Sequence, residues 1–168
     1  WSRSKPGGRI VESASGNTGL GLALLAADRG YGCTAVVDEH ASPDKLRAMQ
    51  AFGAQLVRVG DPGGGLSTAD RDATAERIAT EQGAYWTRQH HNPANANGYT
   101  QLAAELRAVL GDEIHYLVGA VGTGGSLCGT ARALKRHAHG LQVIGVEPCG
   151  SVIFGGPVAP YHQSGTGT

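Results

Sequence analysis

Short apolar segments and longer helix-like segments alternate along nearly the whole chain. The apolar segments show no alternation of polar with apolar residues, which is typical of strands buried on both faces of a parallel sheet. The predicted strands are 9–12, 33–37, 55–59, 84–87, 114–118 and 142–146, and the predicted helices are 20–29, 43–52, 67–82, 99–110 and 127–137. This order of elements predicts an α/β fold, with open parallel sheets that carry helices on both faces.

Several predicted helix ends carry recognisable signals. Gly30 follows the helix 20–29 as a C-terminal cap. Ser42 is a predicted N-cap, and Pro43 follows it at the first helical position. In that second helix, apolar residues three positions apart predict one buried face, formed by Leu46, Met49 and Phe52.

The composition restricts the class of protein. The chain has 168 residues, and about 150 residues per domain is a fair expectation, so it forms one domain or two small lobes. Lys plus Arg equals Asp plus Glu at 14 each, and only 5% of residues are aromatic, which opposes a nucleic-acid surface. No apolar run approaches the roughly 18 residues that span a membrane. We therefore expect neither a nucleic-acid partner nor a membrane partner.

A glycine-rich loop follows the predicted strand 114–118 and precedes the predicted helix 127–137. Backbone N–H groups point outward where a strand turns into a helix, and the helix dipole adds positive charge there. Glycines allow a ligand to approach the backbone closely, and hydroxyl side chains add donors. The loop therefore predicts a site for a phosphate group, formed by Gly122, Thr123, Gly124, Gly125 and Ser126.

A dinucleotide fingerprint is the alternative interpretation of this loop. Gly122 and Gly124 match its first two glycines, and Glu147 ends the next predicted strand, where such fingerprints place an acid. The third glycine should stand at position 127, where the chain has Leu127. A large residue there opposes the close helix–strand packing of the fingerprint. A purely structural glycine turn is a further alternative, and a single phosphate group is favoured over both.

Polar residues follow three of the predicted strands, in the stretches 13–19, 88–95 and 122–126. The carboxyl ends of successive parallel strands lie along one edge of a sheet, which is where α/β proteins bind their ligands. The three stretches are therefore candidates for a single shared site.

Residues 15–19, with the sequence SGNTG, are similar to the substrate loop of the fold-type II pyridoxal-phosphate enzymes, and most of all to the cysteine synthase and cystathionine β-synthase family. Four further stretches at matching spacing resemble the same family, so the resemblance covers essentially all of the chain. These stretches are 41–49, 89–95, 121–126 and 146–151. The resemblance implies the tryptophan synthase β-like fold, of which the chain holds an incomplete part.

The resemblance implies pyridoxal 5′-phosphate as the cofactor and assigns roles to individual residues. Asn17 corresponds to an asparagine that hydrogen-bonds the ring hydroxyl oxygen of the cofactor, and residues 122–126 correspond to the cup for its phosphate. Residues 165–167 resemble a family loop near the substrate side chain. The residues implied to bind the carboxylate of a small-molecule amino-acid substrate are Ser15, Gly16, Thr18 and Gln89.

The chemistry that the resemblance implies is β-replacement on an O-activated serine-type amino acid. A leaving group departs from Cβ and a nucleophile takes its place, which forms cysteine or a related β-substituted amino acid. Ala14 stands where the cysteine synthases usually carry threonine, so the amino-acid substrate is left open. Two alternatives remain at this point. One is a catalytically inactive binding or regulatory module with the cofactor pocket, and the other is a dinucleotide-binding domain.

The lysine that carries the cofactor in the family has no counterpart in this chain. The family places it on a helix upstream of residues 15–19. Lys5 lies in the connection before the first strand, and Lys45 and Lys135 lie on later helices, so no catalytic residue is assigned. The abrupt ends of the sequence favour an internal portion of a longer enzyme over a natural remnant without activity.

The polar, turn-rich stretch 88–95 predicts a boundary between two lobes. We expect a small substrate-loop lobe over 1–91 and part of the large cofactor-binding lobe over 92–168. The family is usually homodimeric, so the resemblance implies a homodimer. Three cysteines without a C-x-x-C pair or zinc spacing are typical of reduced thiols in a cytoplasmic protein, and no metal site is predicted.

Three further side chains of interest receive structural rather than catalytic interpretations. Adjacent histidines point in different directions, so we expect His90 and His91 to be exposed loop residues. Cys128 follows the glycine loop and could be activated by the helix start. We expect it instead to be a buried packing thiol.

Overall fold

The computed structural model describes five stretches of the chain. These stretches are residues 7–38, 41–60, 68–160, 163 and 165–167. The predicted helix start at Ser67 and the predicted position of Lys5 lie outside them.

The described residues form two compact units of alternating strands and helices. The first unit, Trp1–Arg88, contains β1 (Arg9–Ser13), α1 (Asn17–Arg29), β2 (Gly32–Val37), α2 (Pro43–Ala51), β3 (Gln55–Arg58), α3 (Thr68–Gln82) and β4 (Tyr85–Trp86). The second unit, Gln89–Thr168, contains α4 (Pro93–Asn97), α5 (Thr100–Leu110), β5 (Tyr116–Ala120), α6 (Gly125–Leu134) and β6 (Gln142–Val146). All strand pairs are parallel, which confirms the α/β class. The assignment of 1–91 and 92–168 to two lobes of an enzyme stays a prediction.

The four strands of the first unit form one sheet in the order β3-β2-β1-β4. Ile10 and Val11 of β1 are adjacent, so they point to opposite faces, and both are buried. Ile10 belongs to a cluster with Ala23 of α1 and Met49 of α2, whereas Val11 belongs to a cluster with Ile78 of α3. Because neither face of the strand meets water, its sequence needs no polar–apolar alternation. The prediction of helices on both faces is confirmed for this sheet.

The helix ends of the first unit follow the sequence signals in part. Gly30 has a left-handed φ of 69° and its N–H donates to the carbonyl of Ala26, as expected of a glycine cap. Pro43 opens α2, but the side chain of Ser42 makes no capping hydrogen bond. The predicted place of Phe52 on the buried face is wrong. Its side chain is 39% exposed because α2 ends one residue before it.

The second unit is built on a two-stranded sheet of β5 and β6. The inner face of this sheet carries Leu117 and Val143, which pack on a cluster that contains Leu134 of α6. The outer face carries Val118 and Ile144, which are 59% and 45% exposed. Within the described residues, this sheet therefore has helices on one face and an apolar strip on the other.

Several element boundaries of the second unit differ from the prediction: α5 begins at Thr100 and not at residue 99, β5 ends at Ala120 and not at residue 118, and α6 ends at Leu134 and not at residue 137. The strand β5 begins at Tyr116 and not at residue 114. The helix α6 begins at Gly125 and not at Leu127, so Gly125 and Ser126 belong to the first helical turn. The helix dipole therefore acts inside the glycine loop itself and not beyond it.

The sequence analysis missed the helix α4, because five residues are too few to show a helical period. Its start nevertheless carries a capping signal. The Oδ1 atom of Asn92 accepts a hydrogen bond from the N–H of Ala94 at 3.0 Å, and Pro93 occupies the first turn. Helix α4 packs tightly on α6, since a Cβ atom at Gly129 would lie 2.1 Å from the carbonyl oxygen of Ala96.

Replacing Gly129 by alanine should destabilise the second unit. The added Cβ atom would clash with the backbone carbonyl of Ala96, so we expect a loss of about 1–3 kcal/mol in the free energy of unfolding. Gly140→Ala is the matched control, because a Cβ atom there meets nothing within 4 Å. Chemical denaturation measures both variants, and equal midpoints would contradict the close contact of the two helices.

The three cysteines should differ in reactivity. Burial raises the pKa of the Cys33 thiol to about 11, although nearby Arg9 lowers it, whereas Cys128 and Cys149 are exposed. Alkylation at about pH 8 should label the two exposed thiols in the native protein and Cys33 only after unfolding, as read by mass spectrometry. Rapid labelling of Cys33 in the native protein would contradict its burial.

The same raised pKa predicts a loss of stability in alkali. Folded Cys33 keeps its proton up to about pH 11, whereas the unfolded thiol ionises near the ordinary value of 9.0. The unfolded state therefore releases its proton first, and the free energy of unfolding should fall between these two pH values. A Cys33→Ala variant should show a smaller fall over this range in thermal denaturation, and an equal fall would argue against the thiol as its cause.

Candidate functional site

The glycine loop turns from β5 into α6, and its N-cap residue Gly124 has no side chain to cap the first turn of α6. Gly124 occupies the N-cap position with a left-handed φ of 76°, which disfavours any residue with a Cβ atom. Gly125 and Ser126 follow, so their N–H groups lie at the positive end of the helix dipole. At the other end of the loop, a Cβ atom on Gly122 would lie 2.6 Å from the carbonyl oxygen of Gly165. The loop therefore needs glycine for two separate steric reasons.

The hydroxyl of Thr123 is oriented by two donors. The Nδ2 atom of Asn95 donates to Thr123 Oγ1 at 2.9 Å, and the backbone N–H of Gly125 donates to the same oxygen at 3.2 Å. Both lone pairs of the hydroxyl oxygen are then used, so its proton is available for a further acceptor. Thr123 is exposed. An anion that binds at the uncapped start of α6 would be such an acceptor.

Asn95 joins this loop to the segment of Gln89. Its Nδ2 atom also donates to the backbone carbonyl of Gln89 at 2.9 Å. Its Oδ1 atom lies where a Cβ atom on Gly125 would approach to 2.3 Å, so the asparagine side chain occupies the space that the glycine leaves. Sequence reasoning gave Asn95 no role of its own. The sequence does contain a signal that could have identified Asn95. The helix-capping residues Asn92 and Pro93 come shortly after the candidate ligand residue Gln89, and Asn95 lies in the turn that they begin.

Residues 165–167 run along the glycine loop. The N–H of Gly167 donates to the carbonyl of Val121 at 2.8 Å, and the N–H of Val121 donates to the carbonyl of Val146 at 2.9 Å. Backbone hydrogen bonds therefore hold the start of the loop on two sides. The resemblance of 165–167 to a family loop was short, and this contact gives that stretch a structural role beside the candidate anion site.

The loop between β1 and α1 forms a second uncapped helix start. Gly16 is the N-cap residue of α1 and has no capping side chain. Asn17 and Thr18 follow in the first turn and are exposed. The loop turns tightly, because a Cβ atom on Gly19 would lie 2.4 Å from the carbonyl oxygen of Ala14. The start of α1 thus presents backbone N–H groups together with an amide and a hydroxyl side chain.

Ser15 differs from these neighbours because protein groups occupy its hydroxyl. Its Oγ donates to Asp38 Oδ2 at 2.7 Å, and it accepts from the N–H of Asp38 and from Arg71 Nη1, each at 3.0 Å. Arg71 also forms an ion pair with Asp38. Sequence reasoning singled out neither residue. No local pattern marks them, since they lie 23 and 56 residues from Ser15.

The end of β1 is tied to the rest of the first unit by buried polar contacts. Ser13 Oγ donates to Asp72 Oδ1 of α3 at 2.5 Å. The carboxylate of Glu12 accepts from the N–H of Ser13 at 2.8 Å and from the hydroxyl of Thr87. Glu12 and Ser13 are each 2% exposed. Hydrogen bonds of this kind fix the point from which the β1–α1 loop departs.

Glu147, the acid that a dinucleotide site would use, already accepts hydrogen bonds from nearby residues of the chain. The carboxylate of Glu147 accepts three hydrogen bonds, of 2.6, 2.9 and 3.1 Å, from Ser151 Oγ and from the N–H groups of Ile153 and Phe154. A ribose would have to compete with all three. Leu127 is 7% exposed and packs on Gly119 of β5, where a Cβ atom would lie 3.0 Å from the leucine side chain. Close helix–strand packing therefore comes from a glycine on the strand and not from the fingerprint position.

The predicted site residues fall into two sets. Gln89 and the loop 122–126 are brought together in the second unit through Asn95. The other set lies in the first unit at the start of α1 and consists of Ser15, Gly16, Asn17 and Thr18. The contribution of both sets to one site stays a prediction.

The two loop histidines and the cysteine beside the glycine loop are all exposed to solvent. His90 and His91 are exposed, as predicted. The prediction of a buried Cys128 is wrong, because this thiol is exposed on α6 beside the glycine loop. In the part of the chain that the structure describes, no group of three metal-binding side chains could hold an ion. No helix in the same part is long and apolar enough to cross a membrane.

Several known proteins are similar to this chain in sequence and in structure. A candidate cysteine synthase of Sinorhizobium fredii (strain NBRC 101917 / NGR234) is 50% identical, over 99% of this chain and 50% of that protein. The N-(2-amino-2-carboxyethyl)-L-glutamate synthase of Ralstonia nicotianae is 36% identical, over 96% of this chain and 49% of that protein. The crystal structure of the O-acetylserine dependent cystathionine β-synthase from Helicobacter pylori has a TM-score of 0.91 at 32% identity, over 99% and 54% of the two chains. This chain spans about half the length of these relatives.

The sequence profile of the family "Pyridoxal-phosphate dependent enzyme" matches residues 2–167, which is nearly the whole chain. The match confirms the resemblance carried by the SGNTG and glycine loops, and it confirms pyridoxal phosphate as the cofactor that the family implies. It also agrees with the contacts of Glu147 and Leu127, which oppose a dinucleotide site. The chain therefore belongs to the family of pyridoxal-phosphate dependent enzymes.

Proposed function

We propose that this protein catalyses pyridoxal-phosphate-dependent β-replacement on an O-activated serine-type amino acid. The product would be cysteine or a related β-substituted amino acid. The names of the relatives support this reaction class, since they include cysteine synthase and O-acetylserine dependent cystathionine β-synthase. The observation in this chain that supports it best is the anion site at the start of α6, where the proton of Thr123 is free to be donated.

The phosphate of the cofactor fits this anion site. A phosphate oxygen is an acceptor, and the site offers donors to it: the hydroxyls of Thr123 and Ser126 and the N–H groups of the first turn of α6 beyond Gly125, whose own N–H donates to Thr123 Oγ1. The steric demands at Gly122 and Gly124 keep side chains out of the space that a phosphate needs. Residues 122–126 would therefore hold the phosphate.

The start of α1 would bind the polar parts of the cofactor ring and the substrate. The amide of Asn17 can donate to a ring hydroxyl oxygen without changing charge. The N–H groups of the first turn and the hydroxyl of Thr18 suit a carboxylate, because the positive end of the helix dipole favours negative charge. Gln89, which the family resemblance also assigns to the carboxylate, is held in the second unit by its contact with Asn95.

When bound, pyridoxal phosphate supplies an electron sink that stabilises negative charge at the substrate Cα while the leaving group departs from Cβ. The residues of this chain would contribute binding and orientation. Donors at the start of α6 would hold the phosphate of the cofactor, and donors at the start of α1 would bind its ring hydroxyl oxygen and the substrate carboxylate. No lysine of the described residues is assigned to the chemistry.

A catalytically inactive binding or regulatory module is the second candidate. It stays an alternative because neither of the two described lysines is assigned to the cofactor. Lys45 lies in α2, and Lys135 lies at the C-terminal end of α6, opposite the glycine loop. Such a module would keep the phosphate cup and the SGNTG loop without turning over an amino acid.

The protein is further proposed to be a cytoplasmic homodimer. The dimer rests on the family resemblance alone. The cytoplasmic location is supported by the three free cysteines, since exposed unpaired thiols persist in reducing compartments. Analytical ultracentrifugation of the protein as its gene encodes it tests the dimer, and a monomer at micromolar concentration would contradict it.

Borohydride trapping separates the enzyme from the inactive module. The protein as its gene encodes it is loaded with pyridoxal phosphate, reduced, digested and analysed by mass spectrometry. We expect the cofactor on one lysine and turnover of O-acetyl-L-serine with sulfide or another nucleophile. Cofactor binding without a trapped lysine and without turnover would favour the inactive module. Absence of cofactor binding would contradict both.

The phosphate cup predicts the effect of two substitutions on cofactor affinity. Thr123→Val removes the outward donor while keeping the shape of the side chain, and Asn95→Ala removes the donor that orients it. Each should weaken the binding of pyridoxal phosphate by about tenfold, as measured by fluorescence titration of the cofactor-free protein. The double variant should lose less affinity than the sum of the two single losses, because both substitutions act on one hydroxyl.

Asn97 provides the control for this experiment. It lies on the same short helix, and its Oδ1 accepts from Arg132 Nη2 of α6 at 2.7 Å without contact to Thr123. Asn97→Ala should leave the affinity for pyridoxal phosphate unchanged. If Asn97→Ala weakened binding as much as Asn95→Ala, the loss would reflect a general loosening of α4 and would contradict the specific role of Asn95.

A further inference from the structure

The hydroxyl of Ser15 has no hydrogen-bonding capacity left for a ligand. It donates its single proton to Asp38 Oδ2, and its two lone pairs accept from the N–H of Asp38 and from Arg71 Nη1. A hydroxyl has one proton and two lone pairs, so all three are in use. In this arrangement Ser15 cannot donate to a substrate carboxylate, which is the role that the family resemblance implies for it.

The groups that occupy Ser15 are themselves shielded from water. The side chains of Asp38 and Arg71 are 13% and 18% exposed, and they form an ion pair. An ion pair of this kind is less screened than one on the surface. Arg71 Nη2 also donates to Thr68 Oγ1 at 3.3 Å, which holds the guanidinium against its own helix.

The cluster connects three elements of the first unit. Ser15 belongs to the β1–α1 loop, Asp38 follows β2, and Arg71 lies in α3. The residues directly after Ser15 are the N-cap and first turn of α1, which have no side-chain cap. The direction of their N–H groups therefore depends on how the preceding residue is held.

We infer that Asp38 and Arg71 are positioning residues, which act through Ser15 to hold the β1–α1 loop so that the N–H groups of the first turn of α1 face a substrate carboxylate. Ser15 is then an anchor of the loop and not a ligand of the substrate. This inference rests on the proposed binding of an amino acid at the loop, but the anchoring of the loop can be measured without it.

Removing Asp38 and Arg71 together distinguishes an anchor from a ligand. The double variant Asp38→Ala/Arg71→Met removes both members of the ion pair together and frees the Ser15 hydroxyl. If Ser15 anchors the loop, the variant should raise the KM for O-acetyl-L-serine by about tenfold with little change in kcat, because uniform binding is lost. If Ser15 is a carboxylate ligand, the freed hydroxyl should leave KM unchanged or lower it, and that result would overturn the inference.

Asp72→Ala is the matched control. Asp72 is the neighbour of Arg71 in α3, and it binds Ser13 and not Ser15. The control therefore loosens the attachment of the same helix while the Ser15 cluster stays intact. An equal rise in KM for Asp72→Ala would show a general effect of α3 and would also overturn the inference. A variant that is merely less well folded should lose kcat through a smaller active fraction and should not raise KM.

Amide hydrogen exchange gives a readout that does not depend on turnover. In the protein as its gene encodes it, the double variant should speed exchange by about tenfold or more at the amide of Leu20, whose N–H donates to the carbonyl of Gly16, whereas Asp72→Ala should not. Unchanged exchange in the double variant would refute the anchor. If the natural protein does not turn over O-acetyl-L-serine, the proposed reaction fails, and faster exchange would still support the anchoring of the loop.

Discussion

The parallel register of β1 and β2 decides which side chains meet beside the start of α1. Ser13 pairs with Val36 across these strands, so the chain leaves both strands side by side. Ser15 and Asp38 each lie two residues beyond this pair, and they meet although 23 residues separate them. A shift of the register by one residue would turn their strands to the opposite face. The substrate loop therefore depends on strand pairing as much as on its own motif.

In the second unit, close steric contacts position the glycine loop. Ala120 pairs with Val146, and the glycine loop follows at that edge of the sheet. The short helix α4 approaches α6 at Gly129, and its Asn95 side chain fills the space beside Gly125. Contacts between backbone atoms and glycines leave little freedom to rearrange, so the donors of the loop are held in place before an anion arrives. Preorganised donors bind an anion at a smaller entropic cost than flexible ones.

The sequence predicted elements well where burial is symmetric and segments are long. The first sheet is apolar on both faces because Ile10 and Val11 are both covered, and its strands were recognised for that reason. Prediction failed where the local pattern was short, or where neighbouring elements decided whether a side chain is buried. Five residues were too few to reveal α4, Phe52 lay just past its helix, and Cys128 proved exposed because nothing in the described residues covers that side of α6.

The sequence by itself determined the α/β class, the two glycine-containing loops and the cofactor family, because these follow from local turns, helix starts and the order of elements. The tertiary structure decided which side chains those loops use. Asn95, Asp38 and Arg71 gain their roles from partners 28, 23 and 56 residues away. Those distances are set by strand register and helix packing, and hydrogen bonds between such remote groups leave no periodic or spacing signal in the chain.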